Sequence, residues 1–81
     1  MIVHIRLFAA AKDAIQSDSI SVEIRDGGTV DDLQAKLSSA HPELASIAGH
    51  SLFAIDNEYV GGQQVLESGQ TVALIPPVSG G

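Results

Sequence analysis

The chain reads as a single α+β domain: a mixed sheet of about five strands covered by one main helix. Three observations predict this class. Apolar residues alternate with polar ones at Val3, Ile5 and Leu7, and again at Ile20, Val22 and Ile24, the two-residue period of strands with one buried face. Between Thr29 and Ala40 the period changes, and Val30, Leu33, Leu37 and Ala40 recur at helical spacing. The last apolar run, Thr71 to Ile75, is unbroken and rich in Val, Ala, Leu and Ile, which suits a central strand. Placed beside the first strand it would run parallel to it, because a helix-bearing crossover separates the two.

Composition bounds what such a domain can do. Eighty-one residues make one small core. No apolar run approaches the roughly 20 residues that span a bilayer, and Met1 to Arg6 lacks the three-part pattern of a signal peptide. A cytoplasmic location and no membrane contact are the expectations. There is no cysteine, so disulfides, thiolate metal ligands and cysteine nucleophiles are excluded. His4, His41 and His50 fall at no metal-ligand spacing, and no metal site is expected. Ten acidic residues against four basic ones give a net charge of −6, which disfavours nucleic acid. It favours a basic protein partner through electrostatic steering.

Ile2 to Phe8 is the first strand. Val3, Ile5 and Leu7 point one way, and Ile2, His4, Arg6 and Phe8 the other. Phe8 thus falls on the more polar face, where it is either an exposed apolar contact or packed beneath the next helix. Ala9 to Gln16, alanine-rich, is a short helix, broken by Ser17-Asp18-Ser19. The second strand follows, and Asp26-Gly27-Gly28 turns the chain. Thr29 caps the main helix, with Asp31 and Asp32 in its first turn, where carboxylates suit the helix dipole. Asp32 and Lys36 stand four apart, as a favourable ion pair would. His41-Pro42 ends the helix, and one further helical turn fits before Gly49. Leu52 to Ile55 and Tyr59-Val60 are short strands about an Asp56-Asn57-Glu58 turn. Gly61-Gly62 closes the second of them, without the spacing of a phosphate loop.

The chain ends Pro76-Pro77-Val78-Ser79-Gly80-Gly81. Proline fixes φ and keeps the preceding residue extended. Glycine without a Cβ makes a thin tip. The expected division is therefore a folded domain over 1–75 and an extended, flexible tail over 76–81. From Pro77 the tail reaches about 17 Å at roughly 3.3 Å per residue. That is enough to put one reactive group, the Gly81 carboxylate, into a pocket on another protein; a plain chain end rich in small residues is the other reading of the same stretch.

With that ending, the chain resembles the MoaD family, the small sulfur-carrying subunit of molybdopterin synthase. Val72 to Gly81 looks like the family's C-terminal signature, and Leu7-Phe8-Ala9 after an opening strand fits as well. Ala54-Ile55-Asp56-Asn57-Glu58-Tyr59-Val60 also fits, with Ile55 and Asp56 replacing the usual Val and Asn. The resemblance implies a ubiquitin-like β-grasp fold. It implies that an ATP-dependent, MoeB-type enzyme adenylates Gly81, that sulfur replaces the adenylate, and that the thiocarboxylate serves the large, MoaE-type subunit. Sulfur then passes to cyclic pyranopterin monophosphate. No cofactor is bound by the carrier; ATP belongs to the activating enzyme, and acid/base groups to the large subunit. Pro77, Val78, Ser79 and Gly80 would thread the passage, and Phe8, Tyr59 and Ile75 would dock the partner. The same tail suits a sulfur carrier of thiamine or transfer-RNA thiolation, or a ubiquitin-like modifier joined to lysine.

Overall fold

The structure, a computed structural model, describes residues 1–77. The elements run β1 (Ile2–Leu7), α1 (Ala9–Ile15), β2 (Ser19–Glu23), α2 (Val30–Ala40), a 3₁₀ turn (Pro42–Leu44), α3 (Ala45–Gly49), β3 (Leu52–Ile55), β4 (Glu58–Val60) and β5 (Thr71–Ile75). The five strands form one mixed sheet in the order β2-β1-β5-β3-β4. Only β1 and β5 pair in parallel, with Ile5 opposite Val72 and Leu7 opposite Leu74. The other neighbours are antiparallel. This is the ubiquitin-like β-grasp arrangement.

One face of the sheet carries the core. Val3, Ile5 and Leu7 from β1 meet Val72 and Leu74 from β5, Phe53 from β3, and Val30, Leu33 and Leu37 from α2. Their alternation in sequence becomes alternation across the sheet, because successive strand side chains point to opposite faces. Burying such side chains is worth about 1.5–3 kcal/mol each. Ala40 belongs to the expected helix stripe but is exposed. The stripe stops at Leu37 because the helix ends at Ala40, and Leu44 from the 3₁₀ turn joins the core instead.

The N-terminus of α2 is fully tied down. Thr29 and Asp32 form a capping box: the Asp32 N–H donates to Thr29 Oγ1 at 3.4 Å, and the Thr29 N–H to Asp32 Oδ2 at 2.9 Å. The Val30 and Asp31 N–H groups donate to the carbonyls of Gln64 and Gly62. The loop between β4 and β5 thus serves as the cap that a helix end requires. Asp32 does not pair with Lys36. Its carboxylate faces back over the helix start, where the Arg25 guanidinium lies at 3.1 Å. Holding the Thr29 N–H, with Arg25 alongside, keeps the Asp32 carboxyl below its ordinary pKa. After Pro42 the chain makes more than the single expected turn, running through the 3₁₀ segment directly into α3.

Candidate docking face and C-terminal arm

Among the described residues, no helix crosses the opposite face of the sheet. The register sets what it shows. Arg6 pairs with Ala73 and His4 with Thr71 across β1 and β5; Ala73 then pairs with Ala54, and Ala54 with Tyr59. Toward β2 this face is polar, and the His4 imidazole Nδ1 and Ser21 hydroxyl sit 2.9 Å apart. Toward β4 it is apolar. A groove of about 480 Å³ follows β5 here, with Thr71, Ala73, Ile75 and Ala54 as its floor. Arg6 and Phe8 form one wall; Tyr59, Asp56 and Asn57 form the other.

The walls stand up for local reasons. Phe8 follows β1 in extended conformation, and Ala9 turns the chain at φ 50, a left-handed angle uncommon outside glycine. The helix therefore starts below the sheet while the Phe8 ring stays above it. Of the two readings of Phe8, the structure selects the exposed one: the residue is 39% exposed. The Arg6 guanidinium carbon lies 5.4 Å from the Phe8 ring centroid, within cation–π range. On the far wall, Asp56 and Asn57 both have positive φ (51 and 66). That is the type I′ hairpin turn, which Asp and Asn tolerate and which matches the twist of the strands. It sets Tyr59 on the open face, 68% exposed.

The structure thus brings Phe8, Tyr59 and Ile75, far apart in sequence, onto one groove. It adds a residue that sequence reading passed over. Leu52 pairs with Ile75 at the end of β5 and is 55% exposed. Its signal was available: in a strand whose Phe53 faces the core, Leu52 must face out. β5 ends at Ile75, Pro76 is still buried, and Pro77 is exposed. The chain therefore leaves the domain at the rim formed by Phe8, Leu52 and Ile75. The expected threading residues Val78, Ser79 and Gly80, and the expected reactive residue Gly81, lie outside the described residues. Among the described residues there is no cluster of metal-ligating side chains, and no helix is long and apolar enough to cross a membrane.

A β-grasp domain with an open apolar face, leading into a Gly-Gly ending, has the form of a ubiquitin-like carrier. The chain matches the ThiS family over residues 5–81 and belongs to that family. It is 39% identical over 80 residues to the molybdopterin synthase sulfur carrier subunit of Dictyostelium discoideum, covering 95% of this chain and 93% of that one. It is 36% identical over 83 residues to the protein of the same name from Chlamydomonas reinhardtii, covering all of both. Among solved structures it is similar to SAMP1, small archaeal modifier protein 1, from Haloferax volcanii. The TM-score there is 0.86 at 27% identity, with both chains fully covered.

Proposed function

We propose that this chain is the sulfur carrier subunit of a molybdopterin synthase, acting in the cytoplasm through its C-terminal Gly81. The observation that carries the reading is end-to-end similarity to sulfur carrier subunits at 36–39% identity. The family match runs through Gly81. The folded domain ends with β5, and residues 76–81 form the arm.

The chemistry follows from what the chain has and lacks. A carboxylate resists nucleophiles until an oxygen is made a leaving group. An activating enzyme of the MoeB type joins the Gly81 carboxylate to AMP from ATP, releasing pyrophosphate. A sulfur donor then displaces AMP and leaves a thiocarboxylate. With no cysteine in the chain, no side-chain thiol competes for the sulfur. Glycine presents its carbonyl without a side chain in the way. In the large subunit, of the MoaE type, the thiocarboxylate sulfur adds to cyclic pyranopterin monophosphate, and water then cleaves the acyl C–S bond, leaving the sulfur on the pterin for the dithiolene and returning the Gly81 carboxylate. The large subunit supplies the pocket and the acid/base groups. The carrier binds no cofactor and no metal. Phe8, Tyr59 and Ile75, with Leu52, dock the partner, while Pro77 to Gly80 thread its passage.

The test is intact mass spectrometry of the chain after incubation with an activating enzyme, ATP and a sulfur donor. An oxygen-to-sulfur exchange confined to the C-terminal peptide is the expected result. A second reading, a modifier attached to lysine, is favoured by the likeness to SAMP1. It predicts branched conjugates on other proteins and no requirement for the pterin substrate.

A further inference from the structure

We propose that the groove along β5 reads its partner through two opposed charges. Arg6 selects a carboxylate on the large subunit, beside the apolar pocket that takes Phe8, and Asp56, across the groove, selects a basic group. The proposal rests on the docking role given to this face above and deepens it.

Of the four basic residues, Lys12 lies on α1, Lys36 on α2, and Arg25 in the turn leading to α2, where it pairs with Asp32. Arg6 alone stands on the open face of the sheet, opposite Ala73. Among the described residues no carboxylate pairs with it. Its guanidinium rests over the Phe8 ring, so a surface that covers Phe8 also strips water from Arg6. A cation stripped of water without an acceptor strongly opposes binding. A partner that buries Phe8 therefore has to supply that acceptor. A carboxylate is the fitting one, because it takes the planar guanidinium in a two-pronged hydrogen bond.

Asp56 stands on the opposite wall, with the apolar floor of Ala54, Ala73 and Ile75 between the two charges. The sheet order places β5 and β3 between β1 and the turn that carries Asp56. A surface docked the wrong way round would set like charge against like on both walls. The two charges thus fix one orientation, as paired interface charges do. This also resolves a conflict with the net charge of −6, which by itself repels an acidic patch on a partner. Arg6 makes one such patch acceptable, and only beside Phe8.

The experiment measures binding of the full-length chain to the large subunit by calorimetry at two salt concentrations. Thermal unfolding of every variant is recorded alongside. Arg6→Gln and Asp56→Asn are the mild variants: glutamine suits an exposed strand position, and asparagine keeps the positive-φ turn. Arg6→Gln is expected to weaken binding about tenfold and to lower its salt dependence, with unfolding unchanged. Arg6→Glu is expected to weaken it about a hundredfold. The deciding variant is the exchange R6E/D56K, which keeps the net charge of the chain and reverses the groove. It should bind as weakly as R6E or more so. Binding by the exchange equal to the unaltered chain would mean that net charge alone steers the complex, and would overturn the proposal. So would Arg6→Gln binding unchanged while Phe8→Ala binds weakly. If Phe8→Ala itself binds normally, the docking role of the whole face fails, a separate result from failure of the charge code.

Discussion

Ile5 and Phe8 are both large apolar residues of one short segment, yet mutation should separate them completely. Ile5 is fully buried, whereas the Phe8 ring stands on the open face. Truncating a buried core residue such as Leu74 to Ala should lower stability by about 2–5 kcal/mol. Phe8→Ala should change the thermal midpoint little and instead weaken large-subunit binding by about 2 kcal/mol, as interface aromatics do. Paired melting and binding curves check both, and a large loss of stability for Phe8→Ala would place it in the core. At the chain end, deleting Gly81 should abolish sulfur transfer and leave unfolding unchanged, since the last strand ends at Ile75. For Gly80 the question is width against flexibility. Gly80→Ala and its D-Ala counterpart place a methyl on opposite sides, and a narrow passage should reject both. A positive-φ requirement would spare D-Ala, and a merely flexible arm would accept either.

At the scale of elements, α2 depends on how its first turn is closed. Thr29→Ala should cost about 1 kcal/mol, measured by denaturant unfolding, because the Asp32 N–H loses its acceptor. Asp32 adds a pH dependence whose sign is fixed by its lowered pKa. The group binds its proton less tightly folded than unfolded, so its contribution is present above the unfolded carboxylate pKa, about 3.9. That contribution is lost as pH falls through the folded value. Asp32→Asn should flatten the acid limb of the stability curve and change little in shape near neutrality. The capping residue was legible in sequence, since Thr29 precedes an apolar helical pattern with acids in the first turn. The true partner of Asp32 was not. Helical spacing pointed to Lys36, but Arg25 is brought to the helix start by the turn at Gly27-Gly28, a tertiary placement that periodicity does not encode. The cap supplied by Gly62 and Gln64 was hidden for the same reason. A Cβ on Gly62 would meet the Asp31 carboxylate, an exposed side-chain end that can swing aside.

For the molecule as a whole, the fold was legible because β1 and β2 report their two faces by alternation, β5 reads as an unbroken central run, and the main helix reports one face by its spacing. The crossover rule gave the parallel sense of β5 beside β1, whereas the strand order itself leaned on the family resemblance. The groove was less legible, because its floor comes from β5 and β3 and its walls from β1 with Phe8, from β4, and from the turn between β3 and β4. Alternation put Phe8 on the more polar face, but its docking role and that of Tyr59 came through family resemblance; Leu52 was readable from alternation in β3, and the register of β3 on β5 sets it beside Ile75. Under the proposed function, recognition and chemistry fall to different parts of the chain, partner docking to the open face and sulfur transfer to the Gly81 carboxylate. If they are separable, their mutants should differ in kind. Phe8→Ala and Tyr59→Ala should raise the carrier concentration needed for half-maximal synthase rate, while leaving the single-turnover rate at saturation nearly unchanged. Substitution at Gly80 should do the reverse, lowering the saturated rate with the half-maximal concentration little altered, because it disturbs the group in the pocket and not the docked face. Kinetics read this split directly: losses in uniform binding appear in KM, and losses confined to the reacting complex appear in kcat. Single-turnover assays with preformed thiocarboxylate, titrated against the large subunit, provide the measurement. A face mutant that lowers the saturated rate as severely as a Gly80 substitution would show that docking also aligns the reacting group, and that the two parts act as one.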